Sequence, residues 1–175
     1  MAAIEKNDLV VLAQMLQYPT PSQQQSLQAN PQGLQSPGAG KEYLKFTRAV
    51  STLALGQWEE LYTRTFDLNP LTAPYIGFQI WGEGYARGGF MATLNRAYRS
   101  VGLAESGELP DHIGNILRYL GGNFPPLQEL SEVLDMGLQK MLQALAKSDA
   151  RNPYTHLLKA IIQVVEENRM ETVRQ

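Results

Sequence analysis

Apolar residues recur at helical spacing along nearly the whole chain, and no run of strict alternation flanked by turn signals interrupts them. That pattern predicts an all-α helical bundle, and a length of 175 residues predicts a single domain over 1–175. The spacing predicts a first helix over 8–17, capped by Asn7 or Asp8, with Leu9, Leu12, Met15 and Leu16 on its apolar face and Pro19 as its stop. A flexible loop follows at about 18–40. Its stretch 21–40 has no charge, no aromatic ring, three prolines and three glycines, with one weak helical turn near Ser22 to Leu27. A second helix over 41–55 carries Leu44, Phe46, Ala49, Val50 and Leu53 and ends at Gly56. A third begins near Gln57 and places Trp58, Tyr62 and Phe66 on one face.

Further along, a helix over 87–101 turns Phe90, Leu94 and Tyr98 inward. Pro110, in a first-turn position beside Asp111, starts a short helix that ends at Leu120-Gly121-Gly122. Pro125 and Pro126 open a longer one to Lys147, with Leu127, Leu130, Leu134, Leu138, Met141 and Leu145 in one stripe. Asn152-Pro153 caps the last, whose inner residues are Leu157, Leu158, Ile161, Val164 and Val165. No repeat of fixed period occurs.

Composition narrows the function. Lys and Arg total 15 against 17 Asp and Glu, so the chain lacks the positive field that a nucleic-acid partner requires. Without cysteine it has no disulfide framework, thiolate metal site or cysteine nucleophile, which fits a reducing compartment. The charged start, Met1 to Asp8, and the short apolar run after it read as neither signal peptide nor membrane span. The expected location is the cytoplasm.

Enzyme chemistry fails on inventory. The only imidazoles are His112 and His156, and no His-Glu-x-x-His motif, acidic metal loop, phosphate-cradling glycine loop or Gly-x-Ser-x-Gly elbow is present. Spacing alone permits a two-histidine site completed by Glu83 or Asp111, but nothing requires it. No catalytic residue and no metal ligand are expected, and His156 reads as a half-buried first-turn histidine.

Nine of the fifteen aromatic residues lie between Trp58 and Tyr98, interleaved with glycines, which is more than a small helical core needs in one place. Each ring taken singly reads as core, while the cluster can also build an apolar groove for an amphipathic helix. Two polar pieces border it. Glu83 and Arg87 stand at i, i+4 in the favourable order for a helix ion pair. In Glu108-Leu109-Pro110-Asp111-His112 the carboxylates crowd a helix N-terminus, and His112 is pushed in opposite directions by the dipole and the acids, as a polar switch would be.

Four motifs in order carry a resemblance. Tyr62-x-x-x-Phe66-Asp67, Gly82-Glu83-x-x-x-Arg87-Gly88-x-x-Met91, Tyr98-x-x-x-Gly102-Leu103, and Glu108-Leu109-Pro110-Asp111-His112 with Tyr119-Leu120 closely resemble the delta-subunit chaperones of respiratory nitrate reductase, the NarJ type, within the wider TorD/DmsD group of redox-enzyme maturation chaperones. Arg118, Gly114 and the uncharged 21–40 stretch depart from the usual pattern.

The resemblance implies an all-helical, non-enzymatic chaperone that binds the N-terminal peptide or leader of a molybdenum oxidoreductase's apo catalytic subunit. It would hold no cofactor stably itself. It would assist insertion of the molybdenum bis(guanine dinucleotide) cofactor into that client before membrane attachment or export, with cofactor-biosynthesis proteins as further partners. The implied client-binding residues are Trp58, Tyr62, Phe66, Trp81, Glu83, Arg87, Tyr98, Glu108, Leu109, Pro110, Asp111, His112 and Tyr119. A monomer or a weak, swapped dimer fits, since a loose 18–40 loop permits exchange of the first helix. Two other readings stand beside it: a permanent helical adaptor of a redox complex, and a small hydrolase or nucleotide-dependent enzyme resting on Asp111 and His112 alone.

Overall fold

The computed structural model describes residues 7–29 and 33–174; residues 1–6, with the charged start, and 30–32, inside the expected loop, lie outside it. In chain order the elements are α1 (Asp8–Met15), α2 (Pro21–Ala29), α3 (Pro37–Ser51), α4 (Leu55–Tyr62), a π turn (Thr63–Asp67), a 3-10 turn (Pro70–Thr72), α5 (Ile76–Trp81), α6 (Tyr85–Ser100), α7 (Ile113–Leu120), α8 (Leu130–Ser148) and α9 (Tyr154–Arg174). The described residues form no strand, only an isolated antiparallel bridge between Tyr75 and His112. The all-α expectation holds.

The last helix organises the bundle. Asn152 caps it by accepting from the Tyr154 amide, and Leu157, Leu158, Ile161, Val164 and Val165 are buried as the spacing predicts. α9 packs against α3, α8 and α1; α1 also meets α7, and α5 bridges α8 and α6.

Several boundaries differ from expectation for local reasons. The 18–40 stretch is largely helical. Thr20 and Gln23 form a reciprocal cap, each side chain accepting from the other's amide, and Pro21 follows in the first turn. Gly56 does not end a helix but lies in the first turn of α4, and α3 stops at Thr52. Pro110 and Asp111 precede α7 instead of opening it, because the backbone on either side of His112 is held by the bridge to Tyr75. Pro125 and Pro126 also stay outside α8, which begins only after Glu129 takes a left-handed conformation at φ 63°.

The main correction concerns the aromatic stripe. Trp58, Tyr62 and Phe66 do share one face, but that face is buried and lines no open groove. The stripe meets Tyr154 of α9: the Tyr62, Phe66 and Phe46 rings surround the Tyr154 ring at centroid distances of 6.1, 4.7 and 5.1 Å. The Trp58 indole N–H donates to the Tyr154 hydroxyl at 3.0 Å, and the Tyr62 hydroxyl donates to the Leu16 carbonyl at 3.1 Å. Rings with paired polar tips, facing the bundle's central helix, are core. Removing the Tyr62 ring (Tyr62→Ala) therefore destabilises the fold by about 3–5 kcal/mol. Tyr62→Phe, which removes only the hydrogen bond, costs about 1–2 kcal/mol. Urea unfolding curves of the two variants measure both.

Candidate functional site

The motif residues outside that core meet where α5, α6 and the 108–113 segment converge. The 111–113 backbone runs antiparallel to 74–76: the Ile76 amide donates to the Asp111 carbonyl and the Ile113 amide to the Pro74 carbonyl, both at 2.9 Å. The His112 amide closes a turn on the Leu109 carbonyl, and the Tyr98 hydroxyl donates to the Pro110 carbonyl at 2.9 Å. Gly82, with φ 64°, ends α5 in a conformation that favours glycine and swings the chain into α6.

Across this junction lies an ion pair. The Arg87 Nε donates to Asp111 Oδ2 at 2.9 Å and its Nη2 to Oδ1 at 3.4 Å, with both side chains buried. Nη1 reaches the exposed Glu83 at 2.9 Å, and the guanidinium lies over the Tyr75 and Phe78 rings at 5.8 and 5.5 Å. The Glu83–Arg87 pair is thus not a surface helix pair: Glu83 precedes α6, and Arg87 is satisfied chiefly by Asp111, whose hydrogen bond raises the guanidinium pKa above its ordinary value. Asp111 likewise serves as this buried counter-ion, not as an acid at a helix end. Gly77 is what lets the pair fit, since a Cβ there would sit 2.8 Å from Asp111 Oδ2 and 3.0 Å from Arg87 Cγ.

His112 is the N-cap of α7. Its Nδ1 accepts from the Gly114 amide at 3.0 Å, and the ring meets Tyr75 edge-on at 5.4 Å. Proline at 114 would lack that donor, and a Cβ there would lie 3.1 Å from Nδ1, which accounts for Gly114. Burial lowers the His112 pKa below 6.5 against the opposing pull of Glu108 and Asp111. The neutral ring caps the helix.

The outer edge of the junction is acidic and apolar. The Tyr75 hydroxyl donates to Glu108 Oε2 at 2.8 Å. Asp67, at the end of the π turn, has its carboxyl pKa raised by burial and then by the charge of Glu108. Neither carboxylate has a cation within salt-bridge distance among the described residues. Each is followed by a leucine facing solvent, Leu68 at 74% exposure and Leu109 at 48%, with Leu71 nearby at 64%. Asp67 and Glu108, far apart in the chain, are close enough for the charge of one to raise the pKa of the other, and with their neighbouring leucines they make the acidic rim.

Of the expected residues, Glu83, Arg87, Tyr98, Glu108, Leu109, Pro110, Asp111 and His112 gather at this junction. Tyr119 lies behind it, its ring 5.6 Å from Tyr98 and its hydroxyl donating to the Pro125 carbonyl. Trp81, 40% exposed, packs on Phe90 at 5.1 Å. Trp58, Tyr62 and Phe66 belong to the separate core cluster. Tyr75 and Leu68 carry no motif signal in the sequence and Asp67 only its place in one; an acid followed by an apolar residue just past an aromatic stripe is the signal that points to Asp67 and Leu68. The two histidines do not share a site: His156 pairs with Glu42 at 2.7 Å. Among the described residues no group of three His, Asp or Glu side chains could hold a metal ion. A hollow of about 620 Å³ bounded by α1, α2 and Arg118 contains none of the motif residues. Arg118 itself donates to the Ala104 carbonyl at 2.9 Å, away from the acidic rim.

Two measurements check this account. Asp111→Ala, which strands the Arg87 charge in a buried position, costs about 3–5 kcal/mol in denaturant unfolding. As pH falls below 6.5, the unfolded chain protonates its histidine before the folded one does, so stability should decline. Asn also caps helices and does not titrate, so His112→Asn should flatten that decline between pH 7 and pH 5 in the same assay.

No helix among the described residues is long and apolar enough to cross a membrane. The search of curated proteins found no match to the chain. The family model for the nitrate reductase delta subunit matches residues 33–149, which include α3 to α8 and every motif residue of the junction. The chain belongs to the nitrate reductase delta subunit family.

Proposed function

We propose that the chain is an assembly chaperone for a nitrate reductase-like molybdenum oxidoreductase. It binds the N-terminal segment of the apo catalytic subunit and assists insertion of the molybdenum bis(guanine dinucleotide) cofactor in the cytoplasm, before membrane attachment or export. Family membership supports the choice of partner. The observation that carries the reading is the rim itself: two carboxylates without a partner cation, each beside an exposed leucine, on one side of a rigid junction.

Such a surface suits a client segment that begins with positive charge and continues as an apolar helical face. The cationic end relieves the repulsion between Asp67 and Glu108, while Leu68, Leu71 and Leu109 take the apolar side. Burying about 400 Å² of apolar surface contributes roughly 10 kcal/mol gross. Ordering a free tail and losing its translation offset much of that, leaving micromolar to nanomolar affinity. A chaperone needs binding of this strength in order to let go.

Calorimetric titration with a synthetic peptide copying the N-terminus of a nitrate reductase catalytic subunit tests the reading. The Asp67→Asn, Glu108→Gln double variant keeps the fold and weakens binding about tenfold, and raising the salt narrows the gap. Equal affinity of variant and wild type would remove the rim from client recognition.

A further inference from the structure

On another face of the bundle the charge reverses. Lys41, Leu44, Lys45 and Arg48 stand at i, i+3, i+4 and i+7 along α3 and are all exposed, Leu44 at 41%. Lys45 is held at 2.8 Å by Glu42, which also meets His156 of α9 at 2.7 Å, while Lys41 and Arg48 have no carboxylate within salt-bridge distance among the described residues. Lys159 lies on the exposed side of α9 between His156 and Gln163, three and four residues away, and so borders the same stripe.

The stripe is not flat. One hollow of about 440 Å³ is walled by Gly38, Lys41, Glu42, Leu44, Lys45, Arg48 and Gln163, and a second of about 350 Å³ lies between Leu34, Pro37 and the same Lys41 and Leu44. A Cβ at Gly38 would stand 3.5 Å from the Gln163 side chain, so α3 and α9 come close together beside the first hollow. The two hollows share Lys41 and Leu44; ammonium and guanidinium groups border them, and the one carboxylate among their lining, Glu42, is held by Lys45 and His156.

From these residues we infer that the α3 face is a second protein-docking surface, whose occupant is an acidic amphipathic helix on a partner protein. Its carboxylates meet Lys41, Arg48 and Lys159, and its apolar residues enter the hollows beside Leu44. Charge complementarity selects an acidic segment, and the concave shape selects a polypeptide over an anionic lipid surface. Membrane attachment through electrostatics takes four to eight clustered cations and an apolar face that can sink into the interface. Here Lys45 is already paired with Glu42, which leaves three of the four cations unpaired among the described residues, and Leu44 is the single exposed large apolar side chain on α3. The surface is separate from the Asp67–Glu108 rim, none of whose residues lies on α3.

Fluorescence anisotropy with the full chain decides it. The probe is a fluorescein-labelled peptide with Glu and Leu at helical spacing; the controls are its Lys-for-Glu counterpart and phosphatidylserine–phosphatidylcholine vesicles. Wild type binds the acidic peptide, and added salt weakens the complex. The Lys41→Glu, Arg48→Glu variant loses about tenfold or more in affinity, Leu44→Ala loses several-fold, and both keep the wild-type circular dichroism. The Asp67→Asn, Glu108→Gln variant binds the acidic peptide like wild type, which separates this surface from the rim. No binding by wild type, equal binding by the charge-reversed variant, or capture by vesicles but not by the peptide overturns the proposal.

Discussion

A buried arginine held by a buried aspartate governs the arrangement of everything around it. Desolvating both charges is unfavourable unless the geometry is good and the remaining hydrogen-bonding capacity is used. Here Arg87 spends its donors on Asp111 and Glu83 and lies over two rings, and the Asp111 carbonyl is bonded through the Ile76 amide. Because this placement of α5, α6 and the 108–113 segment satisfies these groups together, the pair ties the three elements to one another. It explains why Gly77 carries no side chain and why the imidazole of His112 sits where it can cap α7.

The bundle was legible because its cues are local. Asn7, Asn152 and the stripe on α9 act through neighbours within a turn or two, and spacing finds them. The misreadings have equally physical sources. Thr20 and Gln23 were a readable cap whose helix-forming effect was masked by the prolines and glycines around it. Pro110 had the right neighbours for a helix start, yet a long-range bridge to Tyr75 claimed the backbone first.

The candidate site shows the same division. The motif residues from Glu83 to His112 converge in space, with Asp111 as an interior counter-ion and His112 as a helix cap. The aromatic stripe was correctly placed on one face and wrongly turned outward, because its partner, Tyr154, stands some ninety residues downstream and periodicity carries no information about what a face meets. Two polar surface features that remain exposed, an acidic rim and a basic stripe, lie on different elements.

The π turn after α4 has a consequence of its own. The Leu68 amide bonds back to the Thr63 carbonyl, five residues earlier, so the turn holds one residue more than an ordinary helix would. An α-helical continuation would rotate each later side chain by about 100° per residue without that extra step, and Asp67 and Leu68 would then project in another direction. The outward aim of this acid and leucine is therefore owed to a single inserted residue, a change that one in-frame codon can make or erase while the buried half of the helix stays as it was.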